Sequence, residues 1–223
     1  MTGFKEKPKR PKPIPGRPDE AFALMGNYLF NKDAFIEMLY EDVANLESCH
    51  GFGIDILPKV FNKSRVFAYD FRRNRIPGIT RKEVGYWRDV GTIRLFWEAN
   101  MDLRNIKPQF NLYNRDWPIK TASYGTPPAK FVFNEDGRRG QAVNSIVAEG
   151  SIISGGIVQD SVIGREILIN SGAAVTNSIL MDRVKIGKNC KINMAIIDKD
   201  VEVPSGTTLG YDLKKDKKTV FCG

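Results

Sequence analysis

Between residues 145 and 209 the apolar positions fall into two columns that repeat every five or six residues. One column reads Val147, Ile153, Val158, Ile163, Ile169, Val175, Leu180, Ile186, Ile192, Ile197, Val203 and Leu209, all aliphatic. Two positions before each stands Ser145, Ser151, Gly156, Ser161, Ile167, Ala173, Ser178, Val184, Cys190, Ala195, Val201 or Thr207, mostly small or β-branched. Period-two alternation sends both members of such a pair to the same side of a short strand, so each repeat is one strand and one corner. Three strands close a triangular coil, and twelve repeats make about four coils stacked at roughly 4.8 Å. The pattern predicts a left-handed parallel β-helix of hexapeptide repeats. A sandwich would place turn signals every ~8–12 residues without a fixed register.

Upstream the period changes. Ala21 to Phe30 reads as a buried strand around Met25, Tyr28 and Phe30, and Asp33 to Tyr40 as an amphipathic helix with Phe35, Met38 and Leu39 on one face. Val66 to Phe71 alternates as a strand does, and Thr92 is placed to cap a helix from Ile93 to about Leu103 with Phe96, Trp97 and Met101 inward. Strands alternating with helices predict an α/β layer. The organisation expected is an α/β domain over 1–104, a connection rich in proline, asparagine and glycine over 105–140, and the β-helix over 141–223.

Charge adds a preference for anionic partners. Lysine and arginine number 34 against 26 acidic residues, a formal charge of +8, much of it in Lys5, Lys7, Lys9, Arg10, Lys12 and Arg17 and in Lys214, Lys215, Lys217 and Lys218. These cations are not interleaved with aromatics as in a nucleic-acid module, so phosphorylated metabolites fit better. The three cysteines, Cys49, Cys190 and Cys222, are far apart and give neither a disulfide framework nor a zinc site. With no run of about 18 apolar residues and no apolar leader, no membrane role is expected, and a reducing cytoplasm fits best. The single histidine, His50, lies outside the repeat, which argues against a β-helical acyltransferase with a histidine base.

Four stretches carry a family resemblance: Phe4-Lys5-Glu6-Lys7-Pro8, Ala23 to Tyr28, Gly85-Tyr86-Trp87-Arg88-Asp89-Val90-Gly91-Thr92, and Trp117-Pro118-Ile119 followed by Pro127-Pro128-Ala129-Lys130-Phe131. Together they resemble bacterial glucose-1-phosphate adenylyltransferase, or ADP-glucose pyrophosphorylase, over essentially the whole chain. The resemblance implies a Rossmann-like catalytic layer before the β-helix, and formation of ADP-glucose and pyrophosphate from ATP and glucose 1-phosphate. It implies that Glu6 accepts hydrogen bonds from the sugar, that Lys7 holds the sugar phosphate, and that Gly26 lies at the substrate. It makes Asp89 a ligand of Mg2+, shared with a second aspartate outside this chain, and gives Trp87 and Arg88 the support of that loop. Lys199 matches a cationic position for an anionic allosteric effector. A homo-oligomer, a homotetramer in the family, or pairing with a catalytic subunit is implied as well.

The chain also departs from the family. The glycine-rich nucleotide loop should precede residue 1 by well over a hundred positions, so the chain reads as a C-terminal portion and is expected not to make ADP-glucose alone. Leu24 stands where relatives usually place a serine that touches the sugar, and Gly51 where they tend to carry an aspartate. The alternatives are a nucleotidyltransferase using GTP or UTP and a β-helical regulatory or assembly subunit.

Overall fold

The computed structural model describes residues 4–135 and 137–219, without the side chains of residues 218 and 219. Cys222, the opening Met1-Thr2-Gly3 and the side chain of Lys218 therefore lie outside the described residues. The chain divides into two compact units, one ending at Asn74 and one beginning at Arg75.

The first unit opens with an antiparallel hairpin of β1 (Pro13–Ile14) and β2 (Arg17–Ala21). Its reversal passes through Gly16 at φ +78°, a left-handed conformation that glycine adopts without a Cβ clash. Helix α1 (Lys32–Val43) starts at Asn31, whose side chain accepts the backbone N–H of Asp33 at 3.1 Å. A π-helical turn over Phe52–Ile56 leads into α2 (Leu57–Val60). Met38, Ile56 and Leu57 are buried, and Tyr28, Phe30, Phe35 and Phe52 form a cluster with ring centroids 5.1 to 6.2 Å apart.

Two expected strands do not form. Ala21 ends β2, and the chain from there to Phe30 has no regular structure, with Leu29 fully exposed. Val66 to Asp70 is irregular too, followed by a 3-10 turn over Phe71–Arg73. Alternation marks a strand only where a neighbour takes up its backbone groups, and no described strand pairs with either segment.

In the second unit, α3 (Ile93–Leu103) begins as expected, Thr92 Oγ1 accepting the N–H of Leu95 at 3.2 Å. The expected coiled stack follows as a parallel β-solenoid of about four turns. One face holds Lys130–Val132, Ile152–Ser154, Leu168–Ile169, Lys185–Ile186 and Glu202–Val203. A second holds Gln141–Val143, Ile157–Gln159, Ala174–Thr176, Lys191–Asn193 and Thr208–Leu209. The third holds Ile146–Val147, Val162–Ile163, Ile179–Leu180 and Ile196–Ile197. Corresponding residues of successive coils pair in parallel, as Val162 with Ile179 and Ile179 with Ile196. The last coil is followed by α4 (Leu213–Thr219), where the buried Asp216 accepts the N–H of Gly210 at 2.9 Å.

Both sequence columns point inward. Ile153, Val158, Ile169, Val175, Ile186 and Ile192 have no exposed surface, and Ser151, Ser161, Ser178 and Cys190 lie among them equally buried. The serines do more than leave space. Ser145 Oγ accepts the N–H of Ser161 at 3.0 Å, Ser161 Oγ that of Ser178 at 3.1 Å, and Ser178 Oγ that of Ala195 at 3.1 Å. The ladder satisfies backbone donors that a dry interior would otherwise leave unpaired.

The corners are equally regular. Asn144, Asp160, Asn177 and Met194 stack at one of them with φ between +47° and +50°. Gly150, Glu166, Arg183 and Asp200 repeat the left-handed conformation at a second corner, and Gly155, Gly172, Asn189 and Gly206 at the third. Asparagine, aspartate and glycine suit this region, while Met194 occupies it without their conformational advantage.

Candidate functional site

In the first unit Glu6 is half-buried against the π-helical turn, and a Cβ on Gly53 would run into its carboxylate. Only glycine leaves the Glu6 side chain this position. The turn is closed locally: Gly51 N–H donates to Asp55 Oδ2 at 3.0 Å and Asp55 N–H to Gly51 C=O at 2.8 Å. Just before it, His50 stands at φ +57° with Nδ1 2.8 Å from Asp42 Oδ2. Asp42 is buried on α1 and also accepts from Ser48 Oγ at 2.7 Å and Lys59 Nζ at 3.4 Å. The His50 hydrogen bond, then that of Ser48, holds the Asp42 carboxyl below the usual carboxylate range against the opposing effect of burial. A buried carboxylate thus anchors the segment that ends at the Glu6 contact.

Glu6 also acts electrostatically on Tyr28: burial first, and the Glu6 charge second, push the Tyr28 phenol up. Lys7, beside Glu6, is exposed at φ +37°. Gly26, two residues before Tyr28, is exposed at φ +75° with nothing within 4 Å of the place a Cβ would occupy. Leu24 is partly exposed as well. Glu6 and Lys7 set an acceptor beside a cation, a pair suited to a hydroxylated, phosphorylated ligand.

Asp89 belongs to the second unit and is exposed just before α3. Its Oδ1 accepts the N–H of Gly91 at 2.8 Å, which orients the carboxylate. The neighbouring Arg88 guanidinium donates to the Glu98 carbonyl on α3 at 3.2 Å and to Gln109 Oε1 at 3.4 Å. Tyr86 stacks on Phe110 with centroids 5.1 Å apart. Glu83 is buried; it accepts from the N–H and Oγ1 of Thr80 and from the N–H of Asn111, and the Thr80 N–H contributes most to holding its carboxyl low. The Asp89 loop is therefore braced on both sides. Among the described residues no group of three or more His, Cys, Asp or Glu side chains could hold a metal.

Lys199 is exposed in the corner after Ile196–Ile197, where its N–H donates to Asp198 Oδ1 at 2.8 Å. The structure places Glu6, Lys7 and Gly26 in the first unit and Asp89 and Lys199 in the second. Sequence reasoning passed over Gly53 and the Asp42, Ser48 and Lys59 network around His50, and read Tyr28 only as part of a buried strand. The available signal was Ser48-Cys49-His50-Gly51-Phe52-Gly53, two glycines around a phenylalanine directly after the only histidine.

Comparison with known proteins puts a boundary later in the chain, beyond α3. The family model described as nucleotidyl transferase matches residues 1–106, and the one described as GlmU-like, C-terminal hexapeptide matches residues 127–222. The glucose-1-phosphate adenylyltransferase of Anaeromyxobacter sp. (strain Fw109-5) is 49% identical over 221 residues, covering 98% of this chain and 54% of that protein. The enzyme of the same name from Geobacter metallireducens is 48% identical, covering 98% of this chain and 53% of the relative. That from Deinococcus radiodurans is 44% identical, covering 99% and 54%. The chain spans about half the length of the curated relatives it matches. Over that span, and with nucleotidyl transferase sequence followed by a hexapeptide solenoid, the chain is similar to the glucose-1-phosphate adenylyltransferases.

Proposed function

We propose that this chain supplies the sugar-phosphate end and the solenoid of a glucose-1-phosphate adenylyltransferase, which joins ATP and glucose 1-phosphate into ADP-glucose and releases pyrophosphate. The observation that carries the reading is the 49% identity across nearly the whole chain to an enzyme of that name. The orientation of Glu6 against Gly53 supports its role as acceptor of glucose hydroxyl protons, because an ionised carboxylate has acceptors for two donors. Lys7, exposed next to it, serves as the point charge for the sugar phosphate, and the open backbone at Gly26 lets the sugar approach.

The attacking phosphate oxygen needs no general base near neutral pH, so the protein's part is alignment and charge neutralisation. A divalent metal, Mg2+ in this reading, supplies neutralisation of charge on the leaving pyrophosphate. Asp89 would offer one hard oxygen toward it, with the Gly91 N–H fixing the carboxylate's rotation. Lys199 is the proposed contact for an anionic effector. The working form is an oligomer, or a pair with a chain that carries the remaining nucleotide contacts, in the cytoplasm. No helix of the described residues is long and apolar enough to cross a membrane.

The test is pyrophosphate release from ATP, glucose 1-phosphate and Mg2+ by this chain, alone and combined with the segment of the Anaeromyxobacter relative outside the match. The combination is expected to release pyrophosphate and the chain alone is not. Asp89→Asn or Lys7→Ala is expected to lower the rate at least about a hundredfold, a loss of ~2.7 kcal/mol of transition-state stabilisation. Unchanged rates in both variants contradict the assigned roles.

A further inference from the structure

Between Lys130–Val132 on the first face and Gln141–Val143 on the second, the chain leaves the solenoid as an antiparallel hairpin that pairs Asn134–Glu135 with Arg138–Arg139. The later coils make the same change of face in a few residues, so closing the solenoid does not require this excursion. Gly140 brings the chain back: its N–H donates to the Val132 carbonyl at 3.1 Å, and a Cβ there would strike the carbonyl oxygens of Val132 and Ile153. Phe133 enters the hairpin at φ +71°, a left-handed conformation that a bulky aromatic residue rarely takes. Its ring lies under the Arg138 guanidinium, whose Cζ is 4.6 Å from the ring centroid. Arg139 Nε donates to Asn134 Oδ1 at 2.8 Å. Neutral groups therefore orient both cations. Arg104, Arg165 and Arg183 of the same unit each pair with an aspartate, whereas among the described residues no ion pair reaches Arg138 or Arg139.

The two arginines border a recess of about 360 Å³ together with Gln141, Ile157 and the corner glycines Gly155 and Gly172. Gln141 and Ile157 are register partners on the second face, and Ile157 is 43% exposed. Gly155 and Gly172 stack at the third corner, where a Cβ on Gly155 would press on Ser171 and Arg138. The volume lies at the small end of the ~300–1,000 Å³ range of metabolite pockets. We propose that this recess binds a small phosphate monoester. Arg138 and Arg139 take the phosphate, because two guanidinium groups without a carboxylate beside them offer forked donors to a dianion. Gln141 meets a hydroxyl of the ester, and Ile157 forms an apolar wall for its short carbon skeleton. The site is separate from Lys199, which adjoins Asp200 of the second corner. It uses residues of the second unit alone and does not depend on the roles given to Glu6, Lys7 and Asp89.

The experiment titrates glycerol 3-phosphate calorimetrically into the full chain carrying Lys7→Ala and Lys199→Ala, which silences the two other proposed anion contacts. Saturable binding is expected, at least about tenfold tighter than that of inorganic phosphate, and lost when Arg138→Gln and Arg139→Gln are added. In the unsubstituted chain, glycerol 3-phosphate should shift the backbone amide resonances of Gly155, Gly172 and Ala173, a readout that remains if the arginine variant misfolds. Absence of saturable binding, equal affinity for inorganic phosphate, undiminished binding in the folded arginine variant, or shifts confined to other parts of the chain would each overturn the proposal. So would a recess that seats a second copy of the chain, seen as a dimer mass that the arginine substitutions abolish and glycerol 3-phosphate leaves unchanged.

Discussion

Among single residues, the interior serines show how chemistry and size act together. Ser178 Oγ donates to the Thr176 carbonyl at 2.6 Å while accepting the N–H of Ala195 at 3.1 Å, both within the buried prism. Ser178→Ala keeps the small volume but strands the Ala195 donor, and is expected to cost about 1–3 kcal/mol, read as a lower urea midpoint at unchanged slope. A volume-only view of that column expects no change. Acid response is set at the same scale. The Arg165 guanidinium holds the Asp182 carboxyl below the usual range, and Asp42 and Glu83 are held low by their own donors. A group whose carboxyl is depressed in the fold binds protons more readily when unfolded, so its contribution is complete above about pH 5 and disappears as pH falls through the depressed value. Urea unfolding from pH 7 to pH 3 should show that loss, and Asp182→Asn should be weaker at pH 7 yet fall less steeply in acid; parallel curves would contradict the assignment.

Elements differ in how much of them could be read beforehand. The solenoid repeats one local rule many times, so the columns from Val147 to Leu209 predicted its faces without any long-range information. Helix α3 was legible because Thr92 is a cap residue directly before a run with helical spacing. The segments around Met25 and Val66 were not, since their alternation lacks a partner strand among the described residues. The β1–β2 hairpin was hidden inside a basic, proline-rich stretch whose charge drew attention away from the Pro15-Gly16 reversal. Of the site, Glu6, Lys7 and Asp89 came from the resemblance; the Gly53 contact and the Asp42 anchor depend on a π-helical turn that no simple periodicity announces. Helix α3 also touches the solenoid in a way the sequence does not signal. Trp97 Nε1–H donates to the Asn177 carbonyl at 2.8 Å, and Arg104 pairs with Asp160 at 3.0 Å, two rungs of one corner column. Trp97→Phe keeps the ring volume approximately and removes the donor; a loss of about 0.5–1.5 kcal/mol in urea unfolding is expected, and an unchanged midpoint would show the bond to be dispensable.

For the whole molecule, the two units differ in kind. Residues from Arg75 onward hold a dry, repetitive prism, whereas those up to Asn74 bury a few side chains and leave apolar surface on α1 open. The contribution proposed for this chain is the sugar-phosphate contact at Glu6 and Lys7. The most direct measurement is therefore a calorimetric titration of glucose 1-phosphate into this chain alone. Saturable binding is predicted, abolished in Lys7→Ala and weakened roughly tenfold in Glu6→Gln, the equivalent of ~1.4 kcal/mol. No binding, or binding that neither substitution changes, would contradict the account.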